Sequence, residues 1–168
     1  MKTNIILAGV GGQGILTIAA VLDTAALDCN LNIKQSEVHG MSQRGGAVQS
    51  HVRISDKEIF SDLIPQGKAD IIISVEPMEL LRYLPYLKEG GHLITDSNPF
   101  VNIVNYPEMD ALYAEIKSQP NNILIDAKKI AKDLGNARAT NIVLLGAASS
   151  LLPLSCLLYT SDAADDVS

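Results

Sequence analysis

Two glycine runs hold the residues whose types and spacing could do chemistry. The first is Gly9-Val10-Gly11-Gly12-Gln13-Gly14. Residues 4–8 ahead of it are apolar and partly β-branched, which predicts a buried strand. Residues 15–26 behind it are Ala-rich and free of Gly and Pro, which predicts a helix. Strand, glycine turn and helix form the context in which a Gly-x-Gly-x-x-Gly match gains weight. Glycines reach backbone angles closed to other residues. N–H groups at a helix start carry a partial positive charge, so a phosphate, another anion or a strong acceptor suits such a loop. Gly11 and Gly14 could equally serve only to let strand and helix pack closely.

The second run is Ser36-Glu37-Val38-His39-Gly40-Met41-Ser42-Gln43-Arg44-Gly45-Gly46. Its Gly and Ser content predicts a loop. Arg44 offers a planar fork of donors suited to carboxylate or phosphate. Gly45-Gly46 lets a ligand approach the backbone, and Ser42 and Gln43 add hydrogen-bonding groups. A solvated loop with Arg44 paired to Glu37 is the plainer alternative. Glu37 also stands near the place where a dinucleotide fold puts its ribose-binding acid, which leaves a nicotinamide cofactor open.

The elements that must position these runs follow from the rest of the pattern. A second strand is expected over residues 32–35. Residues 47–54 alternate, with Val48, Ser50, Val52 and Ile54 on one face and Gln49, His51 and Arg53 on the other. That predicts a half-exposed strand with His51 solvated or at an interface. Residues 55–57 turn it and residues 58–61 return as its partner, a hairpin that makes the sheet mixed. Residues 70–75 form a β-branched run, the signature of a strand buried on both faces. Glu76-Pro77 starts a helix with Pro in its first turn. Leu80, Leu81, Leu84 and Leu87 form its core stripe, and Gly90-Gly91 ends it. Residues 92–95 are a strand. At its carboxyl end, where α/β sheets gather ligands, Asp96 and Asn98 are turn-formers first and site residues second. A short edge strand over 101–106, a helix over 109–117, a strand over 123–126 and a helix over 127–134 follow. Thr140 or Asn141 caps a last helix over 142–152, apolar nearly all round and so buried in the domain or against a partner.

Composition bounds the class. With 168 residues, one domain is expected. Hydrophobic residues are 47% and aromatic ones 4%, so the core is aliphatic, as suits a sheet covered by helices. A net charge of −6 argues against nucleic-acid binding as a main role. Two cysteines, Cys29 and Cys156, without a CxxC, argue against a disulfide framework and against an iron–sulfur or zinc site within the chain. No opening signal peptide and no apolar stretch near the roughly 20 residues of a membrane span point to a cytoplasmic domain. The expected fold is α/β, a three-layer Rossmann-like domain over residues 1–154 with a mixed, mainly parallel sheet and a β-hairpin insertion. Residues 155–168 have no clean period and end in small and acidic residues. They resemble translated vector read-through, with native chain replaced beyond about Leu154.

The two runs together resemble one family. Gly9 to Leu16, then Gly40-Met41-Ser42-Gln43-Arg44-Gly45-Gly46-Ala47-Val48 and the strand Ser50-His51-Val52-Arg53, are similar to the gamma-type domain of 2-oxoacid:ferredoxin oxidoreductases. Within it, the His-Gly-Met-Ser-Gln-Arg-Gly-Gly form is most similar to the beta subunit of the indolepyruvate enzymes. The resemblance implies oxidative decarboxylation of an aryl 2-oxoacid such as indolepyruvate, with coenzyme A taking the acyl group and ferredoxin the electrons. It implies thiamine diphosphate and iron–sulfur clusters on a larger partner subunit, so that this chain is not catalytic alone. Gly9, Gly11, Gly12, Gln13, Gly14, Ser42, Gln43, Arg44, Gly45 and Gly46 would then face one cleft, forming part of the wall for coenzyme A or for the active site between subunits. No metal site and no catalytic residue is assigned. Two other classes stay open: a stand-alone nicotinamide- or flavin-binding oxidoreductase using Glu37, and a ligand-free adaptor.

Overall fold

The computed structural model describes residues 1–39 and 45–154. Its strands are β1 (Lys2–Val10), β2 (Asn32–His39), β3 (Ala47–Ser55), β4 (Ala69–Ser74), β5 (Leu87–Asp96) and β6 (Asn122–Ile125). Its α-helices are α1 (Ile15–Asp28), α2 (Pro77–Arg82), α3 (Met109–Ser118), α4 (Ala127–Asp133) and α5 (Thr140–Ala148). The strands make one six-stranded sheet in the order β2-β3-β1-β4-β5-β6. β1, β4, β5 and β6 are parallel neighbours, while β3 runs antiparallel to both β1 and β2. The α/β class and the mixed, mainly parallel sheet are as the sequence predicts.

Side chains alternate across this sheet with the two-residue period of a strand. Ile5, Leu7, Ile71 and Ile73 pack with Ile18 and Leu22 of α1 and Leu144 and Leu145 of α5. Ile6, Ala8, Ile72 and Leu93 pack with Leu80 of α2 and Leu112 and Ile116 of α3. Two helix layers therefore cover one sheet, and nearly every core side chain is aliphatic. Among the described residues, no helix is long and apolar enough to cross a membrane.

Several elements differ from the sequence reading. The second strand runs on to His39, four residues past the expected end at 35. The hairpin is β2–β3, not residues 47–61: β3 lies between two strands, so residues 58–61 have no free edge to pair with and form none. They fold over the polar face of β3 instead. His51 is only 3% exposed and Arg53 is buried. The Arg53 guanidinium donates to Asn4 Oδ1 (3.1 Å) and to the carbonyls of Ser61 (2.6 Å) and Leu63 (3.0 Å). Neither residue is solvated.

The helix from Glu76-Pro77 begins as expected, with the Glu76 carboxylate accepting from the Glu79 N–H (2.8 Å). It stops at Arg82 and a 3-10 turn over Leu84–Tyr86 follows, because Pro85 has no N–H with which to continue the α-helical ladder. Gly90-Gly91 do not end a helix but lie inside β5, where the register with β4 shifts and Gly90 has φ 72°, a bulge. Residues 101–106 form no strand. α5 starts at Thr140 with Ala139 as its N-cap, so neither Thr140 nor Asn141 caps it.

Candidate functional site

β1 delivers the first glycine run to the carboxyl end of the sheet. Gly14, left-handed at φ 78°, is the N-cap of α1. Gln13 turns back, its Oε1 accepting from the Val10 N–H (2.8 Å), and so closes the turn. The glycines divide by what stands opposite them. A Cβ on Gly9 would lie 2.3 Å from Val75 Cγ2, and one on Gly14 would lie 2.8 Å from Asn141 Nδ2. Those two serve close packing. A Cβ on Gly12, at φ 98°, would meet nothing within 4 Å. Gly12 is open.

The second glycine run meets the first. The Gly11 N–H donates to the Gly46 carbonyl (2.9 Å), and the Gly45 N–H points to the Gly11 carbonyl (3.5 Å). This junction continues the β1–β3 ladder past Val10 and Ala47. Ser42, Gln43 and Arg44 lie outside the described residues. Asn102, from the connection after β5, donates to the Gly45 carbonyl (2.7 Å).

A cavity of about 480 Å³ opens beside the first run. Gly12, Gln13, Gly14 and Thr17 form one wall, and Asp96, Asn98, Lys128, Arg138 and Asn141 contribute to the others. It sits at the carboxyl ends of parallel strands, the usual ligand side of such sheets. Lys128 and Arg138 supply positive charge at its rim. Sequence reasoning missed both; the signal was their place in and after the helix that follows β6, at the same sheet end. Asp96 is 4% exposed and internally engaged, accepting from the Ala127 N–H (3.1 Å) and the Asn98 side chain (2.9 Å). It shapes the turn, as the sequence favoured. A second cavity, of about 560 Å³, lies at the other end of β3 and is lined by Met1, Arg53, Lys57 and Phe60. It borders neither glycine run.

Glu37 does not reach the first run. It pairs with Ser50, which in turn lies opposite Leu7, so β3 separates it from β1 and it stands mid-strand. A ribose-binding acid needs the end of the strand next to β1, so the dinucleotide geometry is absent.

The pyruvate ferredoxin/flavodoxin oxidoreductase family model matches residues 4–160. The chain belongs to that family. Within the pyruvate ferredoxin/flavodoxin oxidoreductase family, it is 42% identical over 152 residues to the indolepyruvate oxidoreductase subunit IorB of Pyrococcus horikoshii, covering 86% of this chain and 75% of that one. The gamma subunit of a keto/oxoacid ferredoxin oxidoreductase from Geobacter sulfurreducens is 26% identical, with a TM-score of 0.69 over 99% of this chain and 86% of that one. The fold is shared with the 2-oxoglutarate:ferredoxin oxidoreductase of Magnetococcus marinus, solved with 2-oxoglutarate, coenzyme A and succinyl-CoA bound. That likeness has 20% identity and a TM-score of 0.70 over 95% of this chain and 26% of that one.

Proposed function

We propose that this chain is the small subunit of an indolepyruvate:ferredoxin oxidoreductase, and that its joined glycine runs form part of the wall for coenzyme A. The reaction removes carbon dioxide from an aryl 2-oxoacid, passes the acyl group to the coenzyme A thiol and gives the electron pair to ferredoxin. Thiamine diphosphate, held by the larger subunit, would accept the electron pair that loss of carbon dioxide leaves. Iron–sulfur clusters there carry the electrons. The identity to the Pyrococcus subunit supports the substrate class.

The observation that supports the coenzyme A reading is the Gly11–Gly46 junction, which joins the end of the second run, Gly45-Gly46, to the first. The residues present suit a phosphate-bearing ligand. Gly12 presents backbone with no side chain in the way, and Lys128 and Arg138 line the same cavity. Arg44 would hold a phosphate or carboxylate, and Ser42 and Gln43 would donate hydrogen bonds. In this reading the chain binds and orients, and moves no proton.

Co-expression with the larger subunit gives the test. Coenzyme A-dependent oxidation of indolepyruvate is followed with a viologen acceptor. Arg44→Ala should raise the KM for coenzyme A roughly tenfold, the worth of one charge-assisted hydrogen bond, with KM for indolepyruvate unchanged. A KM for coenzyme A equal to wild type in an assembled complex would show that the runs shape only the subunit contact.

A further inference from the structure

Residues 97–108 contain no helix or strand, yet Glu76 ties them down twice. Glu76 is 0% exposed at the carboxyl end of β4. One of its oxygens accepts from the Glu79 N–H (2.8 Å), capping α2. The other accepts from the Phe100 N–H (3.4 Å) and from the Tyr106 hydroxyl in a short hydrogen bond. A buried carboxylate with no ion pair among the described residues needs such donors. The Tyr106 phenol is held far above its ordinary pKa by burial first and by the Glu76 bond second, so it stays protonated and donating.

Between those two tethers lies Asn102, whose Nδ2 donates to the Gly45 carbonyl (2.7 Å). Its Oδ1 is shielded from solvent and has no partner among the described residues. An unpaired buried acceptor lowers stability. The donor end of Asn102 grips the second glycine run one residue from the Gly46 carbonyl that receives the Gly11 N–H.

We propose that Asn102 is a positioning residue that holds Gly45-Gly46, the end of the second run, against Gly11 of the first, and that Glu76, through Phe100 and Tyr106, anchors the segment presenting it. The inference rests on the reading that the joined runs serve coenzyme A. It adds that their relative placement is set from the β5–α3 connection as well as by the backbone bonds between the runs. Loosening the brace leaves the cleft chemically intact but no longer preorganised, which weakens binding of the ligand and spares the chemistry after binding.

The test uses the assembled complex carrying Asn102→Ala or Tyr106→Phe in this chain. Hydrogen-exchange mass spectrometry should show peptides covering the two glycine runs exchanging about fivefold faster in Asn102→Ala, the worth of one hydrogen bond, with α1 and β4 peptides unchanged. Tyr106→Phe, which removes only the hydroxyl, should move the same peptides to a smaller extent. In the same preparations KM for coenzyme A should rise about fivefold in Asn102→Ala with kcat preserved. Unchanged exchange at both runs in both variants overturns the proposal. Faster exchange with an unchanged KM for coenzyme A upholds the brace and overturns the coenzyme A reading instead.

Discussion

At the scale of single residues, the glycine run shows how one motif serves two purposes. Gly9 is a packing glycine, with Val75 Cγ2 only 2.3 Å from where a Cβ would stand and Ile15 Cδ1 3.0 Å away. Gly9→Ala should lower stability by about 1–3 kcal/mol, the usual cost of overpacking. Shrinking the neighbour should restore part of it. In thermal unfolding, Gly9→Ala with Val75→Ala should be less destabilised than the sum of the single changes by about 1 kcal/mol, whereas Gly12→Ala should add independently of Val75→Ala. Additive behaviour of the first pair would mean the backbone shifts to make room. The motif's spacing located the turn in the sequence. It could not sort its members, because Val75 and Asn141, which decide the matter, come from distant parts of the chain. Lys128 and Arg138 were invisible for the same reason.

At the scale of elements, periodicity assigned the two faces of β3 correctly and misjudged what covers one of them. Alternation reports which side chains share a face, not whether that face meets water. His51 lies beneath residues 61–64, its Nδ1 accepting from the Ile64 N–H (2.9 Å), with the Tyr86 ring edge-on at 5.5 Å. Burial lowers its pKa first; Asp62 raises it and Arg53 lowers it further. The unfolded chain thus takes up a proton near pH 6.5 that the folded chain refuses. Stability from this residue is fully present above the unfolded pKa and is lost as pH falls from about 6.5 toward the lower folded value. His51→Asn keeps an acceptor and cannot titrate. Between about pH 7.5 and 5.5 the wild type should therefore lose more melting temperature than the variant. Parallel losses would place the sensitivity elsewhere. Gly90-Gly91 teach a similar lesson, since a glycine pair after an apolar stripe marks a helix end or a strand bulge, and only the partner strand β4 decides.

At the scale of the whole molecule, the chain leaves four exposed apolar side chains, Phe100, Val101, Ile103 and Val104, on the segment that reaches the rim where the glycine runs meet. Val101 and Val104 are 67% and 102% exposed, and Phe100 and Ile103 are each more than two-fifths exposed. The sequence suggested an edge strand here because the residues are β-branched and apolar. No strand forms, so their character answers to something outside the described fold. Contiguous exposed apolar groups on a soluble surface mark contact sites. The segment carrying them also carries Asn102, and its relatives include a subunit of indolepyruvate oxidoreductase. The larger subunit is therefore expected to cover this segment and the glycine rim together. Val104 is fully exposed, so Val104→Glu should leave the melting temperature within about 1 °C of wild type while weakening the complex. Losing one buried valine and burying a charge in its place should cost at least tenfold in affinity, readable as loss of the co-expressed larger subunit from an affinity-purified small one. Undiminished recovery with both Val101→Glu and Val104→Glu would put the subunit contact on another face and leave the glycine rim open to solvent.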